Sequence, residues 1–175
     1  IITALVESGA ATAELGNLLY RRNASPLLHN AARPPAPDPD KCFALVAANL
    51  RTPAPEAAKQ ILAHAEAGAT VIAAAPAARQ WWRSEALKSV RSEADREYFA
   101  LGKGTVVAYK TAIADPSEFA LDVIDIITHK KRAVRLWNAL SVIALVTGSL
   151  KPGERLVDLV NYGSPISSEV QVSVQ

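Results

Sequence analysis

One strand–helix–strand unit in the middle of the chain most constrains its fold. Cys42–Leu50 (CFALVAANL) is almost entirely apolar, as expected of a strand that is buried on both faces. Thr52–Pro55 forms a turn, and Glu56–Ala67 then places apolar side chains at helical spacing and ends at Gly68. A second apolar run follows at Thr70–Ala75. Such short connections predict two adjacent parallel strands that are joined by a right-handed crossover.

The sequence on both sides of this unit extends the α/β pattern. The turn Gly102-Lys103-Gly104 lies between two apolar runs and predicts a β-hairpin. Asp115 followed by Pro116 predicts the start of a helix, and Pro76–Glu97 shows no regular pattern. The other predicted segments are, in order, a strand, a helix, a strand, a proline-rich surface loop and the two hairpin strands: Ile1–Val6, Ala13–Asn23, Pro26–Asn30, Arg33–Asp40, Tyr98–Leu101 and Thr105–Lys110.

After Arg132 the periodicity changes from helical to alternating, and glycine-bearing turns separate the apolar runs. We therefore predict an α/β domain over residues 1–131 and a small antiparallel β domain over residues 132–175. The strands predicted in the second domain are Val134–Asn138, Ser141–Thr147, Arg155–Tyr162 and Glu169–Val174.

Composition excludes several classes of protein. With 50% hydrophobic and 21% charged residues, the 175-residue chain can bury a core. The net charge is only +2 and no basic face stands out, which argues against nucleic-acid binding. The apolar runs are shorter than the ~20 residues that span a membrane, and no signal peptide is visible. We expect a soluble chain whose compartment is unknown. Because it opens at Ile1 without methionine, we also expect a processed or truncated piece.

Three runs of the sequence resemble a known family. The run FALVAANLRTPAPEAAKQILAHAEAGATVIAAA is similar to the strand–turn–helix–strand segment of class I glutamine-amidotransferase-like domains. It resembles in particular the version that serves as the trimerisation domain of family 42 β-galactosidases, although Ala69 replaces a usual glycine. YFALGKGTVVAYKTAI resembles the late hairpin of those domains, and LVDLVNYGS resembles part of the small β domain that follows. The resemblance covers Lys41–Gln175.

This resemblance implies a flavodoxin-like, mostly parallel sheet with helices on both faces, followed by a small antiparallel β domain. It also implies a non-catalytic accessory role, because the hydrolytic carboxylates of family 42 enzymes sit in a separate barrel domain. No such barrel lies in this sequence. We therefore expect the chain to come from a larger, glycoside-hydrolase-like protein and to be no enzyme by itself.

The residues give no sign of a catalytic centre. An amidotransferase nucleophile needs a cysteine on a strand-to-helix elbow, whereas Cys42 stands at the start of a strand and Pro76-Ala77-Ala78 follows the second strand. Cys42, the only cysteine, is thus predicted to be a core residue. The turn Gly102-Lys103-Gly104 is too short for a phosphate-binding loop. We expect no catalytic residue and no cofactor.

Histidines and carboxylates show no useful spacing either. His29, His64 and His129 lie far apart, so no metal site is expected, and His64 is interpreted as a surface or boundary residue. Asp122 has two possible carboxylate partners on its own predicted helix, Glu118 and Asp125, and all three are interpreted as solvated.

Trp81, Trp82 and Arg83 are the candidate contact residues. Adjacent tryptophans on a loop could stack on a sugar ring or anchor a subunit contact, and packing of one of them into the core is the alternative. Two hypotheses follow. The chain is either an assembly module that self-associates or packs on other domains, or a small-ligand or carbohydrate-binding module that uses this loop or the carboxyl edge of the sheet.

Overall fold

A computed structural model describes residues 2–6, 14, 16–19, 26–48, 50, 52–74, 80–129, 134–137, 142–148, 151–163 and 171–174. Two helices are described in full, α1 (Pro55–Ala67) and α2 (Pro116–Ile127), and residues 16–19 are also helical. The strands are β1 (Ile2–Val6), β2 (Pro26–Asn30), β3 (Ala44–Ala48), β4 (Thr70–Ala74), β5 (Lys88–Ser92), β6 (Arg96–Leu101), β7 (Gly104–Tyr109), β8 (Val134–Trp137), β9 (Val142–Gly148), β10 (Arg155–Asn161) and β11 (Gln171–Val174).

The first seven strands form one mostly parallel sheet in the order β2-β1-β3-β4-β7-β6-β5. Strands β2, β1, β3, β4 and β7 run parallel, whereas β6 and β5 are added as antiparallel neighbours. The predicted strand–helix–strand unit is confirmed as β3-α1-β4, whose two strands are adjacent and parallel. The chain is thus an α/β protein at this level, as predicted.

Apolar side chains cover both faces of the sheet. On one face, Phe119 and Val123 of α2 and Leu19 of the helical residues 16–19 pack on the strands. On the other face, Ile61 and Ala65 of α1 pack on the same strands. Every residue of β3 is buried, which explains why this strand reads as a continuous apolar run.

The turn Gly102-Lys103-Gly104 lies against the carboxyl end of α1. The amide of Lys103 donates to the carbonyl of Glu66 at 3.2 Å, and the amide of Thr105 donates to the carbonyl of Ala69, also at 3.2 Å. A Cβ at Gly104 would stand 2.2 Å from the Ala69 oxygen. Gly102 has φ +59°, and a Cβ there would stand 2.6 Å from the Glu66 backbone. The hairpin prediction is confirmed, and both glycines are needed because helix and turn meet backbone to backbone.

The surface position predicted for His64 is wrong, because this side chain is only 1% exposed. Its Nε2 lies 3.0 Å from the carbonyl oxygen of Pro35, and Nε2 of Gln60 donates to the carbonyl of Pro34 at 2.8 Å. The proline-rich loop therefore closes over α1. Helical spacing places His64 on the same face as Ile61, and the covering loop buries it.

Strand β5 was not predicted from the sequence. All five of its residues are exposed, and the pairing with β6 shifts register between Ser89 and Arg91. An edge strand that is exposed to solvent on both faces shows no alternation of apolar and polar residues. Its sequence pattern therefore resembles that of a loop.

The four strands predicted after Arg132 are confirmed in position, but they form two separate two-stranded sheets, β8 with β11 and β9 with β10, each antiparallel. The proposed boundary near Lys131 lies outside the described residues. So do most of the predicted helix Ala13–Asn23 and the Pro76-Ala77-Ala78 segment.

We predict that Gly104→Ala lowers the free energy of unfolding by roughly 3 kcal/mol, because the added methyl group meets backbone atoms that cannot move aside. Urea denaturation followed by circular dichroism measures the change. Gly148→Ala is the matched control: a Cβ at Gly148 meets no atom within 4 Å, and we expect a change below about 0.5 kcal/mol. Equal losses in the two variants would refute the close contact.

Candidate functional site

The largest group of charged side chains in the described residues lies where α2 passes the carboxyl end of β7. Helix α2 starts at Asp115, whose carboxylate accepts hydrogen bonds from the amides of Ser117 at 2.8 Å and Glu118 at 3.2 Å. Asp115 is therefore the N-cap that the sequence predicts. The helix then carries Asp122 towards Arg96, which is the first residue of β6.

Arg96 stands at the centre of this group. Its Nη2 lies 2.8 Å from Oδ2 of Asp122 and 2.8 Å from Oδ2 of Asp95, and its Nε lies 3.0 Å from Oδ1 of Asp95. Its Nη1 donates to the hydroxyl of Tyr109 at 2.8 Å. The Arg96 side chain is 14% exposed, so these bonds replace most of its contact with water.

Tyr109, the last residue of β7, completes the group. Its hydroxyl accepts from Arg96 and donates to Oδ2 of Asp122 at 3.0 Å. Its ring packs edge-on against Phe119, with the two ring centroids 5.1 Å apart, and the Arg96 guanidinium lies 4.7 Å from the Tyr109 ring centroid. These contacts tie α2 to the hairpin of β6 and β7.

The electrostatics of the group suit a structural link. Burial, reinforced by the neighbouring Asp122 carboxylate, raises the pKa of Tyr109 well above its ordinary value. The hydrogen bond from Arg96 lowers the pKa of Asp95. Tyr109 is thus held neutral and Asp95 ionised at neutral pH, each bonded to Arg96, and neither is poised to exchange a proton.

Asp122 keeps 39% of its side chain exposed, but the sequence did not predict its pairing with Arg96. It shares Arg96 with Asp95, a residue of the turn between β5 and β6. Arg96 and Asp122 are 26 residues apart and belong to different elements, so no spacing in the sequence points to the pair.

The three candidate contact residues have different surroundings. Trp82 is 2% exposed and packs on Phe99 of β6, with ring centroids 5.6 Å apart. Trp81 is half-buried against the same core. Arg83 is exposed and lies 5.4 Å from the Trp82 ring centroid. Only Trp81 and Arg83 present surface to a partner, and Trp82 is a core residue.

Among the described residues, the buried indole nitrogens of Trp81 and Trp82 have no hydrogen-bond partner. Buried indole N–H groups normally find an acceptor. This is the one feature of the loop that favours a ligand.

Cys42 lies at the amino end of β3 and is 6% exposed. Its thiol donates to the carbonyl of Ala44 at 3.4 Å, as a core cysteine can. In the described part of the chain, no group of three or more His, Cys, Asp or Glu side chains could hold a metal ion. No helix in the described ranges is long and apolar enough to cross a membrane.

Comparisons with known proteins find similarity in structure alone. No protein-family model matches the chain, and no curated protein matches it. Among solved structures, the chain resembles the cold-adapted β-galactosidase from Rahnella sp. R3, with a TM-score of 0.58, 12% identity, and coverage of 93% of this chain and 36% of that one. It also resembles Gan42B, a GH42 β-galactosidase, with a TM-score of 0.52, 10% identity, and coverage of 98% of this chain and 39% of that one.

These two likenesses show a shared fold. The chain spans less than two fifths of the length of either β-galactosidase. At 12% and 10% identity, the likeness carries no residue assignment from one chain to the other.

We predict that the protein loses stability above about pH 10, where an unfolded tyrosine ionises. The pKa of Tyr109 is raised in the folded state, so its contribution is present below the unfolded pKa and is lost as the pH rises above it. Urea denaturation at about pH 8 and pH 10.5 measures this loss, which Tyr109→Phe should reduce. The wild type measured at the same two pH values gives the full loss for comparison. An unchanged loss in Tyr109→Phe would contradict the assignment.

Proposed function

We propose that this chain is a non-catalytic accessory domain of a larger, glycoside-hydrolase-like protein, and that it serves self-association or packing against other domains. The observation that carries the proposal is the mutual pairing of the charged groups beside β7.

The ends of the neighbouring strands support the same proposal. In open α/β sheets, ligands bind outside the carboxyl ends of the strands. Cys42 is buried near the amino end of β3. An amidotransferase nucleophile instead needs a strand-to-helix elbow, at the carboxyl end of a strand.

The finer family assignment belongs to the same proposal. The parallel strand order β2-β1-β3-β4-β7 follows the flavodoxin-like order, and the resemblance noted in the sequence is to amidotransferase-like trimerisation domains of family 42 β-galactosidases. The structural likeness to two β-galactosidases, over about a third of each, supports a parent of that class.

A second candidate function is the binding of a small ligand or a carbohydrate at the Trp81–Arg83 loop. The indole N–H of Trp81 favours it, because Trp81 presents surface to a partner and a sugar hydroxyl could accept from this group. Quenching of indole fluorescence by a galactoside, abolished in Trp81→Ala, would favour this function over assembly.

We predict that the purified chain neither hydrolyses β-galactosides nor releases ammonia from glutamine above the rate of the buffer. Both assays should give the same result for the wild type and for Cys42→Ala, because the Cys42 thiol is buried in the core. Turnover that is lost on changing one residue would overturn the non-catalytic role.

A further inference from the structure

Two side-chain donors of α1 hold the proline-rich loop (Arg33–Asp40) against the helix. The side-chain amide of Gln60 donates to the carbonyl of Pro34 at 2.8 Å, and Nε2 of His64 donates to the carbonyl of Pro35 at 3.0 Å. Gln60 and His64 are four residues apart in α1, so they lie one above the other on the same face of the helix. They therefore bind two successive carbonyls of the loop.

The middle of the loop has few other attachments. At one end the amide of Arg33 donates to the carbonyl of Asn30, and at the other end the amide of Cys42 donates to the carbonyl of Asp38. Between these turns, in a stretch that the structure describes without a gap, residues 34–37 make no hydrogen bond other than the two from α1. Three of these four residues are prolines, which have no N–H to donate. A segment with so few bonds can open at much lower cost than the whole fold unfolds.

His64 has one ring nitrogen bonded and the other unpaired. The side chain is 1% exposed, and its Nδ1 has no hydrogen-bond partner in the described part of the chain. Because a carbonyl oxygen can only accept, Nε2 carries the proton of the neutral ring and Nδ1 is left as an acceptor. A second proton would have to go on Nδ1, where it would be a buried, charged N–H with no acceptor. The closed loop therefore fits the neutral imidazole and not the imidazolium.

No charged group is placed to compensate a charge on His64. The ionisable side chains on the elements around it are His29, Arg33, Asp38, Asp40, Lys41, Cys42, Glu56, Lys59, Glu66 and Lys103. Among the described contacts, none of these side chains bonds to His64. The charged side chains of α1 are all exposed, and residues 60, 61, 67 and 68, which share the face of His64, are uncharged. Asp38 is paired with Lys41 at 3.0 Å, and the Cys42 thiol bonds to the carbonyl of Ala44.

We propose that the proline-rich loop is a pH-sensitive clasp, which closes over α1 while His64 is neutral and opens when His64 takes up a proton in acid solution. An open loop exposes His64 to water, and a hydrated histidine binds a proton near pH 6.5. The closed state is therefore fully favoured above that pH and loses favour as the pH falls below it. Each further pH unit should raise the open fraction about tenfold. Opening exposes the face of α1 that carries Gln60 and His64.

Labelling of an introduced thiol measures the opening. Pro34→Cys is made in a Cys42→Ala background, so that each chain has one thiol, at a buried position of the loop. A pyridyl disulfide labels this thiol, and the rate relative to the urea-unfolded chain at the same pH gives the open fraction. We expect the fraction to be constant at about pH 7–8 and to rise about tenfold per pH unit below about pH 6. Val107→Cys, in the buried centre of β7, reports global unfolding and should be labelled at least about tenfold more slowly.

Two variants at position 64 assign the pH dependence. His64→Gln keeps an N–H donor for the carbonyl of Pro35 but does not titrate, so the open fraction should stay constant from about pH 7 to pH 5. His64→Phe keeps a ring but removes the donor, so the loop should open more often at neutral pH, with no further rise in acid. His129→Asn changes an exposed histidine with φ +51°, a backbone conformation that asparagine tolerates. It is the matched control and should keep the full rise.

Equal labelling at positions 34 and 107 would overturn the clasp, because the loop would then open only when the whole chain unfolds. An open fraction that does not change between about pH 7 and pH 5, or that still rises in His64→Gln, would overturn the role of His64. The clasp does not depend on the accessory role proposed above, which the turnover assays test independently.

Discussion

The backbone contact between the Gly102–Gly104 turn and the end of α1 determines where the rest of the sheet lies. Lys103 and Thr105 donate to carbonyls at and just beyond the carboxyl end of this helix, and glycine at position 104 allows the two backbones to touch. The contact places β7 beside β4, and the hairpin then sets β6 and β5 at the end of the sheet. Arg96 of β6 thereby comes within reach of Asp122 on α2, and Tyr109 of β7 bonds both of them, which links the helix to the hairpin. The Arg96 cluster of the described residues follows from this packing, and its members bond one another.

The same arrangement gives the sheet two unlike edges. One outer strand, β5, is charged and has an irregular register. The other outer strand, β2, has no Asp, Glu, Lys or Arg and carries two exposed leucines.

Local patterns in the sequence were enough to predict most elements, but contacts between distant residues were not. The β3-α1-β4 unit was predictable because its strands are buried on both faces and so read as apolar runs. Asp115 was predictable as a cap because capping acts over three residues. Strand β5 was not predicted because it is exposed to solvent on both faces. The surface position predicted for His64 was wrong because a loop almost 30 residues away in sequence covers this side chain. The Arg96–Asp122 pair and the burial of Trp82 likewise depend on tertiary packing, which no spacing in one sequence reveals.

The most direct test of an assembly domain is the mass of the wild-type chain by static light scattering over a hundredfold range of concentration. One chain has a mass of 18.6 kDa. The account predicts that the measured mass rises with concentration above that of one chain. A mass of one chain at every concentration would contradict self-association.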